Sequence, residues 1–326
     1  MDDVPAIKTV NLTKHFGKRV AVDCLNLSIN QGEFYCLLGD NGAGKTTTLN
    51  MLTTLLRPSE GEFFICGFNG LSQSEQSKGV FGVVSQDVAI YQELTAYENL
   101  SFIASLYKLP KEKAARRIEE LLTHAGLADR AHDLVHTFSG GMQRRLTIAM
   151  ALLHEPRVLF MDEPTVGLDP AARRQIWAAL DNLREQGVTI LLTTHYLEEA
   201  EILADRIGII REGKFVAEGT MTELRGKIQA IRNIAVRLNN HLSESEIKIK
   251  IADIQAKLGM RAEYDVIHNT LLFAQTKEQV NDYDAEQKLL LKLQEVLVWL
   301  KNENISFASF ATAQPSLEEV FLAVTK

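Results

Sequence analysis

Cysteine is scarce in this chain: 326 residues hold three, Cys24, Cys36 and Cys66. Their odd number and lack of metal-ligand spacing argue against a disulfide framework or a zinc cluster. A reducing compartment is the expectation, with all three as small core residues. A surplus of positive charge is also missing, since 35 Lys and Arg face 42 Asp and Glu for a net charge of −7. That balance excludes a general attraction to nucleic acid or anionic lipid, so any phosphate site must be local. No uncharged apolar run reaches the ~18 residues of a membrane span. The opening MDDVPAIKTV is acidic and has no apolar core of signal-peptide kind. A soluble cytoplasmic polypeptide is expected. What is present is apolar content, 46% of residues, and a length that suggests two compact units.

The first two-thirds alternates short apolar runs with longer amphipathic ones, the pattern of parallel strands joined by helices. Four runs read as strands buried on both faces: EFYCLLGD (33–40), GVFGVVSQ (79–86), RVLFMDE (157–163) and VTILLTTH (188–195). Each ends in something polar: a glycine loop, Gln86, Asp162 with Glu163, and His195. Open α/β sheets bind ligands beyond the carboxyl ends of their strands, so these endings can converge on one ligand. For a single strand, a polar ending only marks the exit from the core; for four together, convergence is the better reading.

The glycine loop is the sharpest of these signals. GDNGAGKTT follows a strand and opens the helix-like KTTTLNMLTTLL, fitting G-x-x-x-x-G-K-[ST] from Gly39 to Thr46. In such a loop Gly39, Asp40, Asn41, Gly42, Ala43 and Gly44 bring backbone N–H groups around phosphate oxygens, and the helix N-terminus adds a favourable dipole. Lys45 supplies a mobile charge for the β- and γ-phosphates. The Thr46 hydroxyl is the expected Mg2+ ligand, and Thr47 donates to a phosphate nearer the sugar. In VLFMDEPTVGLDP, Asp162 stands at a strand end where a carboxylate orients Mg2+ or its water, and Glu163 is placed to polarise an attacking water. Gln86 and His195 each read two ways: as ordinary loop or packing residues, or as contacts to water, metal and γ-phosphate.

With these residues assembled, the chain resembles the nucleotide-binding subunits of ATP-binding cassette (ABC) transporters over residues 4–222. The resemblance rests on the phosphate loop at 39–47, Gln86 as the Q-loop, FSGGM as the signature, VLFMDE as the second Walker motif, GLDP as the D-loop and His195 as the switch histidine. Met142 stands where the commonest signature has Gln, and Phe16 stands where the adenine-stacking residue is often Tyr; an aromatic face remains. The resemblance implies ATP and Mg2+ as ligands, with Thr46, Gln86 and Asp162 at the metal. It implies hydrolysis assisted by Glu163, His195 and Gln86. It also implies that Ser139, Gly140, Gly141 and Met142 face the γ-phosphate held by a second subunit.

Independently, Ser139 reads as the cap of the helix GGMQRRLTIAMALL, whose Leu146, Met150 and Leu153 recur at helical spacing. One phosphate loop and one signature per chain then imply a head-to-tail dimer, homomeric or pseudo-symmetric, sandwiching two ATP molecules. Asp169 reads as an N-cap with Pro170 at the first helical position, and by resemblance it lies along the dimer seam.

The expected fold is a P-loop NTPase of ABC type, a mixed α/β sheet with a helical subdomain at about 87–137, occupying residues 1–225. The helical stretch has two amphipathic runs separated by Pro110. By resemblance it receives a separate integral-membrane permease; on the residues alone, Tyr91, Leu94 and Tyr97 read as core. A hairpin turning at Glu212-Gly213 and a short helix, TMTELRGK, close this part. Residues 228–326 read as a small α+β domain of ferredoxin-like order: strand 231–238, helix 244–258, strands 260–267 and 270–275, helix 284–303, strand 305–312 and a last helix. Ser316 and Glu319 form a capping box for that helix. With no convergent polar groups, a structural or dimer-supporting role is expected of it rather than ligand sensing. The PSLEEVFLAV tail with FSGGMQRR and EPTVGLDP resembles the bacterial ABC-2 type exporter branch, whose ATPases sit on the cytoplasmic face of the plasma membrane. The alternative, a soluble ABC ATPase of DNA repair or translation, would carry a long coiled coil or a second cassette, and the acidic balance predicts no nucleic-acid partner.

Overall fold

The computed structural model describes residues 4–87, 89–227, 233–266, 269–274, 285–313 and 316–325. It divides into two compact units, residues 1–221 and 222–326.

The first unit opens with an antiparallel sheet built from β1 (Ile7–Phe16), β2 (Arg19–Leu25) and β3 (Ser28–Ile29). The first strand of the central sheet, β4 (Phe34–Leu38), leads through the glycine loop into α1 (Lys45–Leu52). Then come β5 (Glu60–Ile65), β6 (Phe68–Asn69), α2 (Ser74–Lys78) and β7 (Phe81–Val84). The helical stretch holds α3 (Ala96–Leu106), α4 (Lys111–His124) and α5 (Gly140–Ala151). Alternation resumes with β8 (Val158–Asp162), α6 (Pro170–Glu185), β9 (Thr189–Thr194) and α7 (Leu197–Leu203). The hairpin β10 (Arg206–Arg211) and β11 (Lys214–Gly219) precedes α8 (Met221–Lys227).

The central sheet runs β11-β10-β4-β9-β8-β7, parallel from β10 to β7 with β11 antiparallel at the edge. Its inner strands FYCLL, VLFMD and TILLTT are buried at every residue, as a sheet covered on both faces requires. The four polar endings predicted from sequence therefore leave the same sheet edge side by side. The turn between β10 and β11 is the expected one, with Glu212 and Gly213 both at positive φ.

The second sheet, β2-β1-β5-β6 with β3 on β1, was not among the expected elements. Strand β1 changes register near Thr13 against both neighbours, which breaks the inside-outside alternation that would have revealed it. Its inner face, with Ile7, Leu12, Phe63 and Ile65, shares one core with Leu37, Phe160 and Leu191 of the central sheet.

Three further expectations need correction. Helix α1 stops at Leu52, short of the run to Pro58, because Thr54 takes positive φ and the Thr53 hydroxyl turns back to the Leu49 carbonyl. Of the cysteines, only Cys36 is core; Cys66 is half-buried and Cys24 is exposed, since its strand faces solvent there. Tyr91 is 50% exposed and stands edge-on to Phe102, and Leu94 and Tyr97 are half-buried, so none of the three is a core residue.

The second unit contains β12 (Asn233–Leu238), α9 (Glu244–Leu258), β13 (Arg261–Asp265), β14 (Thr270–Ala274), α10 (Ala285–Asn302), β15 (Phe307–Ala313) and α11 (Leu317–Val324). Its strands pair antiparallel in the order β13-β14-β12-β15, the ferredoxin-like arrangement. Ile234, Val236 and Leu238 alternate onto one face, where Ile254 of α9 and Val296, Trp299 and Leu300 of α10 cover them. Capping boxes at Ser243 and Ser316 start α9 and α11. The expected element ends at 231–232, 267, 275 and 284 lie outside the described residues.

Candidate active site

The loop between β4 and α1 is shaped by its glycines. Gly44 has φ +112°, and a Cβ there would lie 2.5 Å from the Ala21 carbonyl oxygen, so no other residue fits this turn. Lys45, 4% exposed, folds back beneath the loop, and its Nζ donates to the carbonyls of Gly39 (2.7 Å) and Asp40 (3.1 Å). The same ammonium lies 3.4 Å from Glu163 Oε1. Glu163, just past the end of β8, takes positive φ (44°), an unusual backbone for a glutamate. Its second oxygen lies 3.2 Å from His195 Nδ1 at the end of β9, although the ring nitrogen is not aligned for a hydrogen bond. The carboxylate is thus held between a lysine and a histidine from two other strand ends.

Beside it, Asp162 Oδ1 accepts from the Thr46 hydroxyl at 3.2 Å and from the Thr193 hydroxyl. Hydroxyl, carboxylate and the nearby Gln86 amide are hard oxygen donors of the kind Mg2+ takes. Among the described residues no cluster of three or more His, Cys, Asp or Glu could hold a metal by itself.

One cleft of about 480 Å³ is lined by Phe16, Arg19, Ala21, Asn41, Gly42, Gly44, Lys45, Thr46, Thr47, Gln86, Glu163, Val166 and His195; Gly39, Asp40, Ala43 and Asp162 do not line it, and Asp162 meets it through its bond to Thr46. Phe16 presents a half-exposed ring at its mouth, with Lys14 Nζ 5.3 Å from the ring centre. A second cleft of about 490 Å³ lies among α4, α5 and α6, lined by residues such as Arg117, Leu121, Arg145 and Leu183. It contains no phosphate-loop residue, so chemistry and not size selects the first.

Ser139, Gly140, Gly141, Met142 and Asp169 do not line the nucleotide cleft. Ser139 caps α5 by accepting from the Met142 N–H at 3.3 Å, and Gly141 lets α6 approach, with Ala172 Cβ 3.1 Å from where its own Cβ would stand. Asp169 caps α6, accepting from the Ala171 and Ala172 N–H groups at 2.9 Å, with Pro170 at the first position.

Four residues around the site escaped the sequence reading. Arg19 faces the cleft because it pairs with Phe16 across the β1–β2 turn, a placement that needed the hairpin to be recognised. Thr193 is one of a run of apolar-looking strand residues. Arg144 reads as one of two helix arginines, yet it is 4% exposed. Glu199 sits in an acidic helix start and is fully buried.

The family model described as ABC transporter matches residues 22–166. The linearmycin resistance ATP-binding protein LnrL of Bacillus subtilis (strain 168) is 36% identical over 335 residues, covering 98% of this chain and 98% of its own. The daunorubicin/doxorubicin resistance ATP-binding protein DrrA of Streptomyces peucetius is 37% identical, covering 98% and 92%. A solved ATP-binding cassette, a dimer in a post-hydrolysis state bound to ADP and Pi, superposes with a TM-score of 0.59 at 31% identity, covering 66% of this chain and 98% of its own. With the phosphate loop, Glu163 and His195 gathered in one cleft, Asp162 bonded to Thr46, and relatives of this family alike along 98% of its length, the chain belongs to the ATPases of the ABC transporter family.

Proposed function

We propose that this chain is the ATP-hydrolysing subunit of an ABC-2 type exporter, working as a head-to-tail dimer beneath a separate membrane permease. The observation that carries the reading is the buried Lys45–Glu163 pair, 3.4 Å apart, at the junction of phosphate loop and cleft. In the mechanism, Lys45 and the loop N–H groups hold the β- and γ-phosphates, and Phe16 offers its ring to adenine. Thr46, Asp162 and Gln86 would hold Mg2+, which neutralises charge on the phosphate oxygens. A water oxygen attacks the γ-phosphorus, the bond to the β–γ bridging oxygen breaks, and ADP leaves with that oxygen. The Glu163 carboxylate takes the water's proton, and His195, beside that carboxylate, steadies the γ-phosphate.

Ser139 to Met142 lie outside their own cleft, which favours their serving a partner's nucleotide, with Asp169 along the seam. The names of the relatives, both resistance ATP-binding proteins, favour an exporter. Among the described residues no helix is long and apolar enough to cross a membrane, so a permease in another chain would supply the passage, with this subunit on its cytoplasmic face. The small second unit is assigned a structural or dimer-supporting part.

The experiment is ATP-driven dimerisation of Glu163→Gln. The variant should bind ATP, lose about 100- to 10,000-fold in turnover and elute as a dimer only with ATP. Wild-type turnover in this variant would displace Glu163 as the base. A monomer at saturating ATP would reject the shared site. Mixing Ser139→Arg with Lys45→Ala chains should restore one competent site per dimer, and recovery of an integral-membrane partner on purification from membranes tests the exporter assignment.

A further inference from the structure

The segment carrying the proposed base is gripped from two sides by buried charged residues that do not reach the cleft. From α5, Arg144 Nε donates to the Pro164 carbonyl at 2.6 Å, and its Nη2 donates to the carbonyls of Asp162 and Glu163, each at 3.2 Å. Its Nη1 donates to the carbonyl of Ser85, the residue before Gln86, at 2.5 Å. From α7, one turn beyond His195, Glu199 Oε1 accepts from the Thr165 hydroxyl at 3.0 Å and from Trp177 Nε1 of α6 at 3.1 Å. Thr165 is 1% exposed and Glu199 0%.

An arginine at such a position is costly. Desolvation lowers its pKa to about 10, against the pull of Asp162 and Glu199, and burial pushes the Glu199 carboxyl up despite hydrogen bonds from Trp177 and Thr165. Packed apolar side chains would stabilise a core at least as well. What a planar five-donor group adds is geometry, because it fixes several carbonyls at once. Three of the four carbonyls belong to residues 162–164, where the backbone must hold Glu163 at positive φ.

We propose that Arg144 and Glu199 are positioning residues that aim the Glu163 carboxylate, Arg144 tying its aim to the signature helix and the Q-loop, Glu199 to the switch-histidine helix. This inference rests on Glu163 being the base. A signature helix drawn onto a partner's nucleotide would carry Arg144 with it, so base alignment and dimer closure become one event.

The test uses full-length protein and a double-mutant cycle. Arg144→Lys keeps the charge but cannot reach four carbonyls. It should lower kcat about 10- to 100-fold while leaving ATP affinity within about 3-fold, the cost of misplacing one catalytic group. In the Glu163→Gln background the same change should cost nothing further, because the group it aims is gone. Equal losses in both backgrounds would assign Arg144 a merely structural part, and an unchanged kcat would overturn the proposal outright. Should Arg144→Lys fail to fold, Thr165→Val removes only the hydroxyl donor to Glu199. It should lower kcat about 3- to 10-fold at unchanged ATP affinity, and wild-type kcat would overturn the Glu199 arm. An active Glu163→Gln single variant would instead overturn the base assignment on which both rest.

Discussion

Lys45 shows how much one side chain can concentrate. Its three neighbours are two loop carbonyls and the Glu163 carboxylate, all within 3.4 Å. Replacing it with alanine removes the ammonium that folds beneath the loop. Charge-assisted bonds contribute about 1.5–3 kcal/mol each, so Lys45→Ala should weaken ATP binding by about 10- to 100-fold in a titration calorimeter. Glutamine at 163 keeps size and backbone, so it should cost turnover and spare affinity. The sequence pattern showed both residues plainly, since a glycine loop and an Asp-Glu pair are local strings. Arg144 and Glu199 were hidden because nothing local marks them: an arginine in a basic helix run and a glutamate in an acidic one look solvated. Only the packing of α5 and α7 against the strand ends reveals that both are buried.

At the scale of elements, caps and buried rings offer clean tests. Ser316 accepts from the Glu319 N–H at 3.3 Å while the Glu319 carboxylate accepts from the Ser316 N–H at 2.9 Å. Ser316→Ala should cost about 0.5–2 kcal/mol in urea unfolding and leave ATPase activity alone. His154 follows α5; its Nε2 lies 2.9 Å from the Phe81 carbonyl and its ring stacks on Tyr107 at 3.9 Å. Burial lowers its pKa, the bond to Phe81 opposing. The unfolded chain therefore takes up this proton more readily than the folded one. The stability tied to the neutral ring is present above the ordinary imidazole range and is lost as pH falls through it. His154→Gln should flatten that slope in urea titrations between about pH 5 and pH 7; an unchanged slope would discharge His154 from the role.

Elements were legible in proportion to how regular their patterns are. The buried strands β4, β8 and β9 are continuous apolar runs and stood out, as did α9, and α11 with its capping serine. The β1–β2–β5–β6 sheet was missed because its strands change register and carry polar residues on an outer face. Arg19 was lost with it, since only the hairpin brings that residue to the cleft.

For the whole molecule, a core cluster in each unit predicts separable responses. Leu12, Leu37, Phe63 and Phe160 belong to one; Val236, Phe273 and Trp299 belong to the other. A ligand stabilises what binds it with the logarithm of its concentration over Kd, about 2.7 kcal/mol at a hundredfold excess. ATP added to Glu163→Gln should therefore raise one thermal transition and leave the other in place. A uniform shift of the whole melt in calorimetry would mean the two cores unfold as one.

The uneven burial of the cysteines has a practical outcome. Desolvation suppresses the thiolates of Cys36 and Cys66, and Cys24 alone is exposed. A maleimide dye added to the unaltered chain should settle on strand β2, the strand whose Arg19 and Ala21 line the phosphate-loop cleft. The molecule thus carries its own attachment point for an optical reporter of ATP arrival, with no cysteine to engineer in and none to strip out.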